Sequence, residues 1–594
     1  MTNRSINKMK TRSSPRVQRL YGTAAASVSS VLLGRICTAL EWLLLLCPFL
    51  FGCFFPWGSA LVSLVLIVLL LLLVRGGLLC LTRGAAFLAA LSVVIFHLGG
   101  MLWGTDRGMA LVGAVQFLPL PLFVLLLEQY APNRRLTLLR RMPYVASAMV
   151  VLSFLLSRIS SLEGWFLVAG RQAGFFQYPN SYALYLLFAL VLVLFGPPLR
   201  FGRLPWVLLL MLGIVLSGSR MVFFLLLAVF PVYLLTEKSK SSQRSVLVLF
   251  GLLLFGSILY ALVSGNRDSI GRFLTASLTA SEFVGRLLYA RDAVPVILRH
   301  PLGLGYTGFR CLQGSFQTGV YSVQHVHNEL LQLLLDAGWV PTGLFLWALW
   351  RSLRSREGGI CRKMLLAVLL LHCLLDFDTQ FVSLALLLFL VLDTEPQAKK
   401  PLPFGGIARH FSAGMLTLLA LLSLWIGSAS FLYYLRKPSA AVQIYPAYTA
   451  ALLDLLPNAS EQELGPLADR VLRLNQHIAL AQNAKAKSDL SLGELSGMIA
   501  HKQEAIRLSR YNLAEYLDYF DILQVARKQY LQNGDQASAD RCLSLIGEIP
   551  GMLEEVDRQT SRLGRMIKDQ PELTLPPAYL AWMEHYVPRF VSDS

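Results

Sequence analysis

The chain has 594 residues, of which 55% are hydrophobic and only 15% are charged, and its mean hydropathy is +0.56. A water-soluble protein carries about 25% charged residues, so the composition excludes a soluble protein and indicates a polytopic membrane protein. The net charge of +18 does not imply a nucleic-acid partner, because residues 436–594 hold 17 Lys and Arg against 20 Asp and Glu. The basic excess therefore belongs to residues 1–435.

Apolar segments predict an all-α fold with about thirteen transmembrane helices between positions 36 and 435. We place them at 36–56, 58–74, 84–102, 108–128, 143–157, 181–196, 204–217, 221–235, 245–263, 328–350, 364–375, 379–392 and 411–435. The weakest of these patterns are 204–217, 364–375 and 379–392. Residues 1–35 are basic and Ser-rich, and the long span that follows has no small-residue cleavage site, which predicts an uncleaved anchor rather than a signal peptide.

The charges of the loops predict the orientation. With a cytoplasmic N-terminal segment, the inner short loops and residues 1–35 hold 26 Lys and Arg, and the outer short loops hold 4. This is the asymmetry of the positive-inside rule. It predicts a multi-pass protein of the cell membrane, and the odd number of spans places residues 436–594 outside the cytoplasm. The four outer arginines, which are Arg107, Arg158, Arg171 and Arg220, are candidates for binding an anion; for Arg107 and Arg158, lipid headgroups are an equal alternative.

Two regions outside the spans have helical patterns of their own. The long outer loop 264–327 is too large to lack structure, and apolar residues recur at helical spacing over 286–299. The tail, 436–594, shows amphipathic segments at 461–482, 490–508, 512–533 and 536–546. A soluble helical domain is therefore predicted, either a small bundle or a stack of tetratricopeptide-like repeats.

The predicted outer loops contain the candidate catalytic and anion-binding residues. His327 lies just before the tenth span, where a neutral imidazole at a helix N-terminus can accept a proton; the structural alternative is a helix cap. Arg171, Arg220 and Arg286 supply permanent charge that suits a diphosphate. A base together with fixed positive charge is what transfer from a lipid diphosphate to a hydroxyl requires.

Six further polar residues are candidates for supporting roles, namely Asn180, His325, Asn328, His372, Asp376 and Asp378. The Asp376-Phe377-Asp378 turn could hold a divalent cation, but a two-residue pattern is weak, and pairing with one of the arginines, or with the acceptor, is favoured. We therefore predict no metal and no cofactor. Eight scattered cysteines without a CxxC motif predict neither a disulfide framework nor structural zinc.

Over positions 165–395 the chain resembles the O-antigen ligase and polymerase superfamily of bacterial membrane glycosyltransferases. The most specific match is His327-Asn328 followed after nine residues by Gly338, and the others are Gly174 to Pro179-Asn180, Ser219-Arg220, Gly285-Arg286, His300-Pro301-Leu302-Gly303-Leu304-Gly305 and His372 to Asp376. Two positions depart from the family pattern. Phe224 stands where leucine is usual, and Pro341 stands where a small or hydroxylic residue is usual.

The resemblance implies a polyprenyl-diphosphate-linked glycan as donor and an inverting, metal-independent transfer outside the cytoplasm. By matching position, His327 would be the base, and Arg171, Arg220 and Arg286 would bind the donor diphosphate. The acceptor stays open among a second lipid-linked glycan (polymerase), a lipid or cell-envelope glycan (ligase) and a protein hydroxyl (oligosaccharyltransferase). A lipid-linked glycan transporter or flippase is the alternative from another class. It would have polar or charged residues within the spans, or broken paired helices at the midplane, whereas here the charged residues cluster at the outer boundary, with few, such as Glu41 and Asp336, within the spans. The tail could bind a protein partner.

Overall fold

The computed structural model describes residues 15–80, 84–130, 135–263, 281–392 and 406–587. The first part of the basic N-terminal segment, residues 264–280 of the long outer loop, and the loop that carries Lys399 and Lys400 lie outside this part of the chain. The structure is 77% helical, and the described residues contain a single two-stranded hairpin, β1 (Leu167–Val168) and β2 (Arg171–Gln172). The predicted all-α class is therefore confirmed.

The predicted spans correspond to helices in the same order along the chain. These helices are α1 (Pro15–Leu46), α2 (Pro56–Gly76), α3 (Ala85–Trp103), α4 (Ala110–Phe117), α5 (Pro119–Leu127), α6 (Met142–Leu156), the short α7 (Glu163–Phe166), α8 (Pro179–Phe195), α9 (Leu204–Ser217), α10 (Arg220–Thr236), α11 (Lys240–Val263), α12 (Ser281–Arg299), α13 (Gly308–Phe316), α14 (Glu329–Ala337), α15 (Trp339–Arg354), α16 (Gly359–Cys373), α17 (Val382–Leu392) and α18 (Gly406–Tyr434). The amphipathic helix predicted at 286–299 is the C-terminal part of α12.

Six helical segments among the described residues are long and apolar enough to cross a membrane, and α8, α9, α10 and α17 are shorter apolar helices. Two of these shorter helices, α17 and α8, lie inside the bundle. Every residue of α17 is buried, and so is the run from Ser181 to Leu194 in α8. A helix that is apolar on all sides belongs in the core of a large bundle, where it does not need to match the bilayer by itself. The polytopic membrane fold is thus confirmed, whereas the count of thirteen spans stays a prediction.

Helix α2 shows how an outer helix divides its surface. Its exposed side chains are apolar and recur every three or four residues, at Leu61, Val65, Val68 and Leu72. Such a stripe suits contact with lipid tails. On the other side α2 packs against α18 so closely that a Cβ at Gly427 would lie 2.6 Å from the Cβ of Ala60. Small residues allow this approach, which is the usual way for membrane helices to pack.

The contacts separate the loops into the same two groups that the charge pattern predicts. Among the predicted inner loops, Arg409 donates to the carbonyl of Arg75, and Arg203 pairs with Glu237. Among the predicted outer loops, Asp106 and Thr318 both bond to the tail, at Asn475 and Ser561. These contacts agree with the predicted grouping, and the tail packs on loops of the predicted outer group.

The span predicted as one helix over 328–350 is interrupted at Gly338, where α14 ends and α15 begins. Gly338 has φ 79°, which glycine adopts at little cost. The interruption accommodates the 300–305 loop, because Trp339 N donates to Pro301 O (2.9 Å) and Leu304 N donates to Leu335 O (2.6 Å). Pro341 then falls in the first turn of α15, where its missing N–H has no helical partner to lose.

The tail is a run of helices that pack in sequence order. They are α19 (Pro438–Ile444), α20 (Thr449–Leu455), α21 (Glu461–Leu474), α22 (Ala479–Ser491), α23 (Leu495–Leu508), α24 (Leu513–Gln532), α25 (Gln536–Gln559) and α26 (Pro577–Tyr586). The segment predicted at 461–482 is two helices, since Asn475 to Ile478 are not helical. The fully buried Lys502 joins α22, α23 and α24 through Asn483 (2.7 Å), Glu515 (2.7 Å) and Asp518 (2.6 Å). Whether these helices are tetratricopeptide-like repeats stays a prediction, as do the domain boundaries.

Gly338→Ala is expected to destabilise the protein, because a Cβ at this position would lie 2.4 Å from Pro301 O and at a positive φ. We expect the free energy of unfolding to fall by about 2 kcal/mol or more, measured by thermal or denaturant unfolding in detergent. Gly343→Ala is the matched control, since nothing lies within 4 Å of its added methyl group in α15. Equal stability of the two variants would contradict this account of the Gly338 contact.

Candidate functional site

The carboxylate of Asp376 is the centre of a polar cluster at the predicted outer end of the bundle. It is 2% exposed. It accepts hydrogen bonds from Tyr178 Oη (2.9 Å), Asn180 Nδ2 (2.8 Å) and the backbone N of Phe377 (3.0 Å). Tyr178 and Asn180 flank Pro179, the first residue of α8, where the fixed φ of proline favours the start of a helix. The start of α8 thus delivers two hydrogen-bond donors to the turn that follows α16.

Two basic side chains complete the surroundings of Asp376. His327 Nδ1 lies 3.3 Å from Oδ1, and Arg286 Nη2 lies 3.6 Å from Oδ2. Burial by itself would raise the pKa of the Asp376 carboxyl, but the hydrogen bond and charge of His327, together with the charge of Arg286, hold this pKa well below its usual range. Asp376 is therefore ionised at neutral pH.

This pairing determines which nitrogen of His327 is basic. An ionised carboxylate can only accept hydrogen bonds, so Nδ1 carries the proton and the lone pair is on Nε2. Nε2 makes no hydrogen bond to any residue that the structure describes, and the side chain is 20% exposed. His327 is thus oriented by a carboxylate on one side and open on the other, as a general base requires.

The backbone of His327 is held in an unusual conformation. Its φ is 54°, in the left-handed region, which costs a residue with a side chain on the order of 1–3 kcal/mol. Hydrogen bonds of the two neighbours hold it there. Val326 N donates to Gln332 Oε1 (2.9 Å), and Asn328 Oδ1 accepts from Leu331 N (3.0 Å). Asn328, rather than His327, is therefore the cap of α14, and capping does not account for the histidine.

Arg171 connects the hairpin to α8 and α9. Its Nε donates to Ser217 O (2.8 Å), and its Nη2 donates to Asn180 Oδ1 (2.7 Å). Asn180 in turn donates to Asp376. Arg171 thus orients a residue of the Asp376 cluster and supplies a charge that does not titrate.

Arg220 is the first residue of α10. Its Nη1 lies 3.5 Å from Glu282 Oε2, and the glutamate side chain is 71% exposed. An ion pair with so exposed a partner is weak and can exchange for another anion. The preceding Ser219 has a buried hydroxyl without a hydrogen-bond partner among the described residues. The N-terminus of α10 therefore offers a guanidinium, a spare hydroxyl and the positive end of a helix dipole.

The other two outer arginines lie elsewhere. The backbone N of Arg107 donates to Leu474 O of the tail (3.1 Å). Arg158 is exposed, with its guanidinium 4.7 Å from the centre of the Phe154 ring. Of the four, only Arg171 and Arg220 carry contacts to the cluster or to the start of α12.

Asp378 and His372 form a separate pair beneath the cluster. Their Oδ2 and Nδ1 atoms are 2.5 Å apart, both side chains are buried, and Asp378 also accepts from Ser181 Oγ (2.8 Å). Asp376 and Asp378 therefore serve different partners. The part of the chain that is described has no group of three or more His, Cys, Asp or Glu side chains arranged to hold a metal ion.

His325 stays neutral beside the cluster. Burial and the nearby positive charge of His327 lower its pKa to about 3. Its ring lies 4.8 Å from the ring of Phe377, and its buried Nδ1 has no partner among the described residues. It is adjacent to the candidate base and does not compete with it for a proton at neutral pH.

Two residues of the site are absent from the set predicted by sequence. Tyr178 donates to Asp376, and Glu329 accepts from Thr379 N (3.1 Å) and from the hydroxyl of the same residue. The signal for Tyr178 is its place before Pro179-Asn180. No pattern marks Glu329, because its partner lies 50 residues further along the chain.

A comparison with protein families matches residues 205–348 to the family described as O-antigen ligase. The matched stretch runs from α9 into α15 and contains Arg220, Arg286 and His327; the tail lies outside it. No curated protein and no solved structure matched the chain.

Asp376→Asn should lower the melting temperature at pH 7, because it removes the negative charge that pairs with Arg286 and that accepts the Nδ1–H of His327. The folded-state pKa of Asp376 is depressed, so its contribution to stability is present above the ordinary aspartate pKa of about 3.9 and is lost as pH falls below it. The difference in melting temperature between wild type and variant should therefore shrink below about pH 4.

The control is Asp557→Asn, in an exposed pair with Arg565, for which little change is expected at either pH. A difference for Asp376→Asn that grows on acidification would contradict the assignment of an ionised Asp376.

Proposed function

We propose, from the match of residues 205–348 to the O-antigen ligase family, that this membrane protein is a glycosyltransferase that moves a glycan from a polyprenyl-diphosphate carrier to an acceptor hydroxyl. The transfer takes place at the end of the bundle that holds His327, outside the cytoplasm. The contact of one buried carboxylate with both His327 and Arg286 is the observation that carries the proposal.

Arg220 and Arg286 bind the donor diphosphate. Each is one-quarter exposed, and each has an ion-pair partner at 3.5 Å or more, which leaves N–H groups for phosphate oxygens. Guanidinium binds such oxygens in bidentate fashion, and the spare Ser219 hydroxyl together with the N-terminus of α10 adds further donors. Arg171 acts mainly as a positioning residue through Asn180.

His327 Nε2 removes the proton of the acceptor hydroxyl as its oxygen attacks the anomeric carbon. The new glycosidic bond forms as the bond from that carbon to the diphosphate oxygen breaks on the opposite face, which inverts the anomeric configuration. The electron pair stays with the diphosphate, where the arginines stabilise the developing charge. Asp376 stabilises the resulting imidazolium, the role that a buried aspartate has behind a catalytic histidine.

His327→Gln should lower the rate of glycan transfer by about 10²–10⁴-fold, the usual contribution of a general base. Cells with this variant, at normal protein level, should accumulate lipid-linked glycan and lose one product, measured by mass spectrometry of polyprenyl-linked glycans and surface polysaccharide. The lost product identifies the acceptor among a lipid-linked glycan, an envelope lipid or glycan, and a protein.

Arg158→Gln is the control, because this arginine lies at the same predicted end of the bundle but outside the cluster. Its glycan pools should equal those of wild type. Unchanged pools in the His327→Gln cells would remove the histidine as base and favour a transporter.

Arg220→Gln and Arg286→Gln should each weaken use of the donor. Loss of one charge-assisted interaction worth about 1.5–3 kcal/mol corresponds to roughly 10- to 150-fold in kcat/KM at 1.4 kcal/mol per tenfold. The measurement is steady-state transfer by purified protein at varied donor concentration. Substitution by lysine should restore only part of the activity, since lysine cannot bind in bidentate fashion; full activity of either glutamine variant would exclude that arginine from the donor site.

A further inference from the structure

A cavity of about 960 Å³ lies between the tail and the end of the bundle that carries His327. One wall comes from α13 and the loop after it, with Arg310 and Tyr321, and the other comes from the tail, with Asp454, Tyr511 and Asn512. Sites for small molecules usually measure about 300–1,000 Å³, so this cavity is at the upper end of that range. It has room for several sugar rings.

The two walls are held together by specific contacts. Ser561 N donates to Thr318 O (2.9 Å), and Gly319 and Gly564 approach so closely that a Cβ at Gly319 would lie 2.6 Å from Gly564 Cα. On another side, Asp106 accepts from Thr449 Oγ1 (2.7 Å) and Asn475 Nδ2 (3.2 Å). The cavity is therefore a built part of the fold, which the tail creates.

The lining has the chemistry of a saccharide site. It combines tyrosine rings, which offer an apolar face and a polar edge, with amide, hydroxyl and carboxylate groups such as Asn512, Ser322 and Asp454. The single arginine of the lining, Arg310, is accompanied by Asp106, Asp454 and Asp569. This mixed charge is unlike the arginine-rich surroundings of the proposed diphosphate site.

A row of three rings, Tyr321, Tyr289 and His327, leads from the cavity wall to the candidate base. The Tyr321 ring in its wall lies 4.6 Å from the ring of Tyr289, which lies 6.1 Å from the ring of His327. Arg310 is also close to His325, whose pKa is lowered first by burial, then by His327 and then by the positive charge of Arg310. A ligand that extends out of the cavity past Tyr321 and Tyr289 would bring one end to His327.

We infer that this cavity binds the sugar units of the acceptor, a short oligosaccharide without a diphosphate, and presents its hydroxyl to His327. The inference deepens the proposed function and rests on it for the meaning of the hydroxyl. It makes the tail part of the acceptor site.

Asn512→Trp fills part of the cavity without removing a capping hydrogen bond. Asn512 is exposed at the start of α24, and its side chain makes no capping hydrogen bond. Glu494→Trp is the matched control, because Glu494 is likewise exposed at the start of α23 without a capping bond, and it does not line the cavity. Asp454→Ala, which enlarges the cavity and removes a lining carboxylate, is a second variant.

The probe is the oligosaccharide that mild acid releases from the polyprenyl-diphosphate glycan of the cells that make this protein. Binding to the full-length protein in nanodiscs is measured by saturation-transfer NMR and titration. Wild type, Glu494→Trp and His327→Gln should bind alike, whereas Asn512→Trp and Asp454→Ala should bind at least fivefold more weakly and show a raised KM for the acceptor.

The outcomes separate the two proposals. Absence of probe binding to wild type, or equal binding by wild type and both cavity variants, overturns the cavity inference, even if His327→Gln abolishes transfer. Binding that is lost in both cavity variants, with transfer unaffected by His327→Gln, supports the saccharide site and overturns the proposed role of His327.

Discussion

The buried carboxylate of Asp376 is the constraint on which the site depends. A charge in this position is costly to bury unless it is paired and hydrogen-bonded. Asp376 meets that requirement with Tyr178 and Asn180 from the start of α8, Arg286 from α12 and His327 from the end of the long loop. One ion thereby brings together four segments that are far apart along the chain.

Close backbone contacts at two glycines help to position the residues of the Asp376 cluster. Gly303 and Gly338 let the 300–305 loop rest against the break between α14 and α15, which places the start of α14 and the residue before its cap. Glu329, in the first turn of α14, holds Thr379 and so fixes the turn that bears Asp376. The strained φ of His327 is maintained by these surrounding contacts, as is usual at functional sites.

The tail is held in place by hydrogen bonds to the loops that it packs on. Its contacts with Asp106 and Thr318 are hydrogen bonds to buried or half-buried groups, and such groups are costly to leave unpaired. The tail is therefore fixed relative to the long loop, and the cavity between them has walls of defined composition. The charges differ between the two places, with Arg220 and Arg286 at the proposed diphosphate site and mixed polar groups around the cavity.

Local patterns in the sequence are sufficient to predict most of the helices and the candidate residues. Hydropathy and helical spacing are local properties, and they predicted the order of the helices and the helix at 286–299. They did not predict that the first helix begins at Pro15, or that 108–128 is divided into α4 and α5. The O-antigen ligase resemblance and the candidate residues His327, Arg220 and Arg286 likewise follow from short motifs; the family match covers these three, and their roles stay predictions.

Tertiary structure decided which of these residues meet. It selected Asp376 for His327 and Asp378 for His372, although the two carboxylates are two positions apart, because adjacent turns point side chains in different directions. It broke the span at Gly338, split the tail segment at Asn475 and kept Arg158 out of the cluster. Most of these outcomes depend on contacts between residues far apart along the chain, as from His327 to Asp376, from Pro301 to Trp339 and from Asp106 to Asn475. Local sequence patterns cannot predict contacts between residues that are so far apart.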